Sequence, residues 1–130
     1  MTGPRHRVVG IDHVQLAMPP GPDAERRAEA FFEGLLGLPR VAKPAELAVR
    51  GGCWFERGEL KVHLGADANF QAARKAHPAF SVAGLRSLAD RLTGLGYTVR
   101  DDEAVGGRAR VQLDDPFGNR IELIEARAGE

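Results

Sequence analysis

A chain of 130 residues, 43% apolar and 28% charged, has the composition of a globular domain with room for one sizeable core and not two. Its eighteen basic residues balance eighteen acidic ones and form no basic run, so the electrostatic footprint of a nucleic-acid binder is missing. One cysteine excludes an intramolecular disulfide, and no apolar run approaches the roughly eighteen residues of a membrane span. With no apolar leader in "MTGPRHRVVG", the expectation is a cytoplasmic protein without nucleic-acid or membrane partners.

The first predicted strand runs from about Arg7 to Met18, where "PPGPD" stops it. After Asp23, placed to cap, Ala24, Ala28, Phe31, Phe32 and Leu35 fall on one helical face, and Gly37 is placed to end that helix. "ELAVR", "GCWFER" and "ELKVHLG" then read as short β runs, with turns at Gly51-Gly52 and Arg57-Gly58. Cys53, beside Trp54, reads as a buried structural thiol. A polar connector, "ADANFQAARKA", separates this half from the next.

The order then repeats. "HPAFSVA" is a strand, and "GLRSLADRLTGLGY" is an amphipathic helix with Leu85, Leu88, Leu92 and Leu95 on one side. "YTVR", "GGRARVQLDD" and "NRIELIEA" are three further strands, the last entered through the turn "DDPFGN". The fold class expected is therefore α+β, a single domain over 1–130 built from two tandem βαβββ modules. Module 1 covers about 8–65, the connector 66–76 and module 2 about 77–126.

Strand side chains alternate between faces, so parity tests which residues share one. The apolar sets Val14/Leu16, Leu60/Val62/Leu64, Phe80/Val82 and Ile121/Leu123 leave His13, His63, His77 and Glu122 on the faces opposite the helices. Gln15, Lys61, Ser81 and Arg120 fall there too, and either Trp54 or Phe55 must join them as an apolar wall. Two such sheets facing each other would bring three imidazoles and a carboxylate into one cleft, a donor inventory suited to a divalent transition metal such as Zn, Ni, Fe, Mn or Co. Lys61 and Arg120 would meet an anionic substrate there, and Gln15, Trp54 and Ser81 would line it.

The stretches "IDHVQLAMP", "FFEGLLGL", "KVHLG", "HPAFSV" and above all "DPFGNRIELIE" resemble members of the vicinal oxygen chelate superfamily, also called the glyoxalase/bleomycin resistance protein/dioxygenase family. The likeness covers about Val8 to Ala126. It implies a mixed sheet curled around a metal-bearing cleft with helices outside, ligands at His13, His77 and Glu122, and a fourth position at His63. Glyoxalase-like members carry a glutamate at that fourth position, so His63 is either a further ligand or a catalytic acid/base. The implied activity is that of a metal-dependent, glyoxalase-like lyase or isomerase, which chelates a small oxygenated metabolite through two oxygens. An Fe(II) extradiol-type dioxygenase, a fosfomycin-type resistance transferase and a non-catalytic binding protein of the bleomycin-resistance type stand as alternatives. A homodimer is implied as well, with each site built within one chain or across two.

Overall fold

The computed structural model describes residue 3 and residues 5–130. Its strands form two four-stranded sheets. The first has the order β1-β4-β3-β2, from β1 (Val14–Met18), β2 (Arg40–Val41), β3 (Cys53–Arg57) and β4 (Leu60–Ala66). The second has the order β5-β8-β7-β6, from β5 (Ala79–Val82), β6 (Arg100–Val105), β7 (Arg108–Asp114) and β8 (Arg120–Glu125). In each sheet the first strand of the module pairs parallel with the last, and the rest is antiparallel. The two-module α+β plan read from the sequence is thus the plan of the fold.

Helix α1 (Pro22–Glu29) buries Ala24 and Ala28 and continues as π-helix through Ala30–Leu35. The wider turn changes the helical phase, and Phe31 and Phe32, adjacent in sequence, both reach the core. Phe32 stacks on Phe55 of β3, with ring centroids 5.4 Å apart. Asp23 is not the cap: Gly21 holds that position, and Asp23 sits in the first turn. Gly37, at φ +77°, ends the helical stretch as expected.

Three further expectations change, the first being that the strand expected from "YTVR" begins only at its last residue, Arg100. "ELAVR" is not a strand; Ala45–Ala48 form one helical turn, α2, because Pro44 starts a turn whose amides close on its own carbonyl. Nor does β1 begin at Arg7. Pairing with β4 starts at Val14, and Val8, Val9 and Ile11 are 93%, 85% and 84% exposed. An apolar run is a strand only where a neighbour accepts its hydrogen bonds, and this segment has no such neighbour among the described residues.

In the second module, helix α3 (Leu85–Gly94) ends in a Schellman motif. With Gly96 at φ +95°, the Tyr97 N–H donates to Leu92 O and the Gly96 N–H to Thr93 O.

One core joins the modules. Phe31 packs against Tyr97 at 5.5 Å, and Arg27 lies over the Phe117 ring while donating to Pro116 O. The joint is Asn119, 1% exposed. Its Nδ2 donates to Ala17 O at 2.8 Å and to Asp115 at 3.0 Å, and its Oδ1 accepts from the Ala73 N–H at 2.9 Å. A single amide thereby ties β1, the connector and the turn before β8.

Candidate metal and substrate site

The helices cover one face of each sheet and leave the other open. On the first sheet the register sets Trp54 opposite His63 and Glu56 opposite Lys61, and Gln15 beside His63. Trp54 is therefore the aromatic of the open face, and Phe55, fully buried, belongs to the core. His63 is 5% exposed and is clamped between two rings: Trp54 at 4.0 Å and 4° from parallel, and His13 at 4.3 Å. Its Nε2 lies 2.7 Å from Glu56 Oε2. Glu56 was not among the sequence candidates. Counting back from His63 across the Arg57-Gly58 turn would have placed it on the same face. Beneath Gln15, Gly65 leaves room for the amide, since a Cβ there would come within 2.7 Å of Gln15 Nε2.

His13, half exposed, directs Nδ1 at Asp12 Oδ1, 2.9 Å away. That hydrogen bond, with the charge of Lys61, holds the Asp12 carboxyl below its ordinary range. The remaining nitrogen of His13, Nε2, is available to a ligand.

On the second sheet, Ala79 and Gln112 flank Glu122 in the register. Glu122 Oε1 accepts from Gln112 Nε2 at 3.1 Å and Arg110 Nη1 at 3.4 Å, and His77 Nε2 stands 3.1 Å from it. Burial pushes this carboxyl up, but Gln112, His77 and Arg110 outweigh it and hold it below its ordinary value. His77 Nδ1 is 2.8 Å from Lys75 O. A backbone carbonyl only accepts, so the proton of a neutral ring sits on Nδ1 and the Nε2 lone pair faces Glu122. Two acceptors aimed at each other need a proton or a cation between them.

The donor set thus fits a divalent metal. Two imidazoles have Nδ1 tied to oxygen and Nε2 presented, the orientation that outer hydrogen bonds give to metal-binding histidines, and a carboxylate is fixed beside one of them. The structure brings His13 together with His63, and His77 with Glu122. It does not bring the two pairs together: among the described residues no three His, Cys, Asp or Glu side chains converge closely enough to hold an ion. β1 and β5, which follow His13 and His77, are each the edge strand of their sheet, and a groove of about 570 Å³ lined by Ile11, Val14, Leu60, His77 and Phe80 lies between them.

Of the remaining candidates, Arg120 donates Nε to Gln112 Oε1 at 3.1 Å, and Ser81 Oγ accepts from Arg108 at 3.3 Å. Lys61 is half-buried on the open face. Glu125 points to the helix side and accepts the Leu85 N–H at 2.9 Å. Cys53 is fully buried, and burial pushes its thiol up to about 11. Among the described residues no helix is long and apolar enough to cross a membrane.

Paired βαβββ modules, each a four-stranded sheet whose first and last strands run parallel, define an α+β class of fold. Among known structures the chain is similar to a glyoxalase family protein from Bacillus anthracis, at 42% identity over 95% of this chain and 99% of that one, with a TM-score of 0.85. The chain belongs to the glyoxalase family of the vicinal oxygen chelate superfamily. It shares its fold with lactoylglutathione lyase from Agrobacterium tumefaciens, at 24% identity over 92% of this chain and 95% of that one, with a TM-score of 0.68. The fold is shared too with a point mutant of the fosfomycin resistance protein FosX from Listeria monocytogenes, in complex with Mn(II) and 1S,2S-dihydroxypropylphosphonic acid. That likeness is 15% identity over 94% of this chain and 95% of that one, with a TM-score of 0.74. No family model and no curated protein matches the chain.

Proposed function

We propose that the protein is a metal-dependent, glyoxalase-like lyase or isomerase of a small oxygenated metabolite, with His13, His77 and Glu122 as ligands and His63 as its acid/base. A divalent metal held there would act as a Lewis acid toward two neighbouring substrate oxygens. The observation that carries the reading is the His77–Glu122 pair, whose Nε2 and Oε1 face each other 3.1 Å apart while Nδ1 is tied to a carbonyl. His63 differs: its Nε2 is engaged by Glu56 at 2.7 Å, which orients the ring. Its role in this reading is to take a proton from the carbon next to the chelated oxygens and return it elsewhere. Trp54 and His13 hold the ring plane while it does so.

Since the two donor pairs lie on separate sheets, a second copy completes the site in this reading, with the first sheet of one chain facing the second sheet of the other. The unpaired edges of β1 and β5 and the exposed Val8, Val9 and Ile11 support it, because each is surface that a partner would cover. Two histidines and one carboxylate are also the ligands of non-haem Fe(II) oxygenases, so iron uptake coupled to oxygen consumption would favour a dioxygenase instead.

The test is metal content by elemental mass spectrometry on untagged protein. One ion per chain is expected in the wild type and none in His13→Ala or His77→Ala. When these two variants are mixed and reassociated, about a quarter of the wild-type metal should return, because half the dimers are mixed and each keeps one site of two. A metal-free wild type after reconstitution with Zn, Ni, Mn, Co and anaerobic Fe(II) sinks the enzymatic reading, and a mixture that stays empty sinks the shared site.

A further inference from the structure

Four arginines stand on the open face of the second sheet. Arg100 lies 3.8 Å from Asp114, Arg108 3.7 Å from Glu130, and Arg110 3.3 Å from Asp102 and 3.4 Å from Glu122. Arg120 differs from all three: among the described residues no carboxylate lies within 4 Å of it. Its Nε donates to Gln112 Oε1 at 3.1 Å, which fixes the guanidinium plane and leaves the two terminal nitrogens without a partner among the described residues. Arg5, Arg7, Arg27, Arg50, Arg57, Arg74, Arg91 and Arg127 also have no ion pair there, but all of them are exposed and water serves them. Arg74 lies on the exposed connector, whereas Arg120 is half-buried within a sheet. The terminal nitrogens of Arg120 reach solvent while Gln112 holds the guanidinium plane, so a charged fork of donors is fixed in place and free to take an acceptor.

The position narrows what that acceptor is. Arg120 precedes Glu122 by two residues on the same face, about 7 Å along the strand. The Gln112 side chain bonds both, donating Nε2 to Glu122 and accepting from Arg120, so one amide sets their spacing. The first module repeats the pattern: half-buried Lys61 precedes His63 by two residues on β4, also with no carboxylate within 4 Å among the described residues.

We propose that the free fork of Arg120 is the receptor for an oxyanion on the substrate, a carboxylate or a phosphoryl group a few bonds away from the oxygens that reach His77 and Glu122. The inference rests on the reading of those two residues as ligands. It narrows the substrate class to small hydroxy- or oxo-acids and their phosphorylated or phosphonate counterparts, and it excludes neutral dicarbonyls. A planar guanidinium matches two oxygens of either group at once, and neither acetamide-like nor alcohol groups satisfy both of its free nitrogens.

The test is direct binding to the metal-free protein, read from the arginine side-chain N–H signals in nitrogen-15 NMR. Inorganic phosphate and malonate are titrated separately at constant ionic strength set by sodium chloride, with glycerol as the neutral control. Saturable movement of the Arg120 signals with one or both anions and not with glycerol is expected, and the arm that binds more tightly tells phosphoryl from carboxylate. R120Q should weaken that binding roughly tenfold or more, R120K by less, while both variants keep the wild-type metal content. An Arg120 signal unmoved by both anions overturns the proposal. So does equal affinity in R120Q, or an Arg120 fork already paired with a carboxylate of a second copy. Metal content, measured on the same preparations, separates the two ideas: anion binding without metal uptake sinks only the ligand reading, and metal uptake without anion binding sinks only the receptor.

Discussion

The open faces of the two sheets follow one plan and use different forces. In the first module His63 is held by contact: Trp54 on one side, His13 on the other, and a single carboxylate, Glu56, at its edge. In the second module Glu122 is held by polar partners: Gln112 and Arg110 donate to one oxygen, His77 Nε2 stands 3.1 Å from it, and Asp102 and Arg120 are bonded to the same partners. Stacking fixes a ring's plane while leaving its protons free to exchange, which suits an acid/base. Converging donors keep a carboxylate ionised and aimed, which suits a ligand. The repeat therefore supplies two positions, and the neighbours of each decide its chemistry.

The most forceful way to break this contrast is to neutralise one carboxylate on each sheet. On the proposed ligand set, Glu122→Gln should weaken metal binding by at least roughly a hundredfold, since it would remove one ligand and it reverses the demand on Gln112 and Arg110. Glu56→Gln should leave metal content at the wild-type level and lower turnover, since it touches only the partner of His63. Elemental analysis of both variants decides the matter: loss of metal in Glu56→Gln would make the first sheet a ligand set rather than an acid/base set.

The next effect concerns what holds the modules in register. Asn119→Ala leaves Ala17 O and the Ala73 N–H without their partner and removes a donor from Asp115, all in a buried place. A loss of about 3 kcal/mol is expected from the urea midpoint. Asn69→Ala, in an exposed part of the connector, should cost almost nothing. Equal losses at the two positions would mean that the modules are held by apolar packing alone.

Much of this was readable in the chain, for a reason that particular residues show. Alternation has a period of two, so Leu16 and Leu64 entering the core oblige Gln15 and His63 to face the other way, while His13 and His77 precede β1 and β5 and lie beyond the reach of that rule. Asn119 was missed because a lone Asn after Gly in "DPFGN" reads as turn chemistry, and nothing local says that its side chain reaches Ala17 a hundred residues back. α2 was missed because "ELAVR" alternates like a strand, while Pro44 and the one-turn length that decide for helix lie outside that pattern. Arg7 to Ile11 reads as strand and is unpaired in the single chain, with Val8, Val9 and Ile11 exposed, because alternation does not say whether a neighbouring strand is there to accept its hydrogen bonds. Which donors converge is likewise a property of sheet placement, about which period-two patterning is silent.

The smallest effect sharpens the same contrast at the helices. α1 starts at Gly21 with no side-chain cap, and its first-turn Asp23 is spent on an exposed pair with Arg26 at 3.3 Å. α3 starts at Gly84 with no local cap either, yet Glu125 on β8 reaches across to accept the Leu85 N–H at 2.9 Å. The acceptor on α3 therefore comes from the strand that also carries Glu122, and this hydrogen bond ties α3 to β8. Glu125→Ala should cost about 1 kcal/mol, the worth of a helix cap, while Asp23→Ala should stay within about 0.5 kcal/mol because an exposed i,i+3 pair contributes little. The loss in Glu125→Ala should also speed hydrogen exchange at the α3 amides without touching those of α1. Equal losses in the two variants would show that β8 does not steady α3, and that each module anchors its helix by apolar packing only.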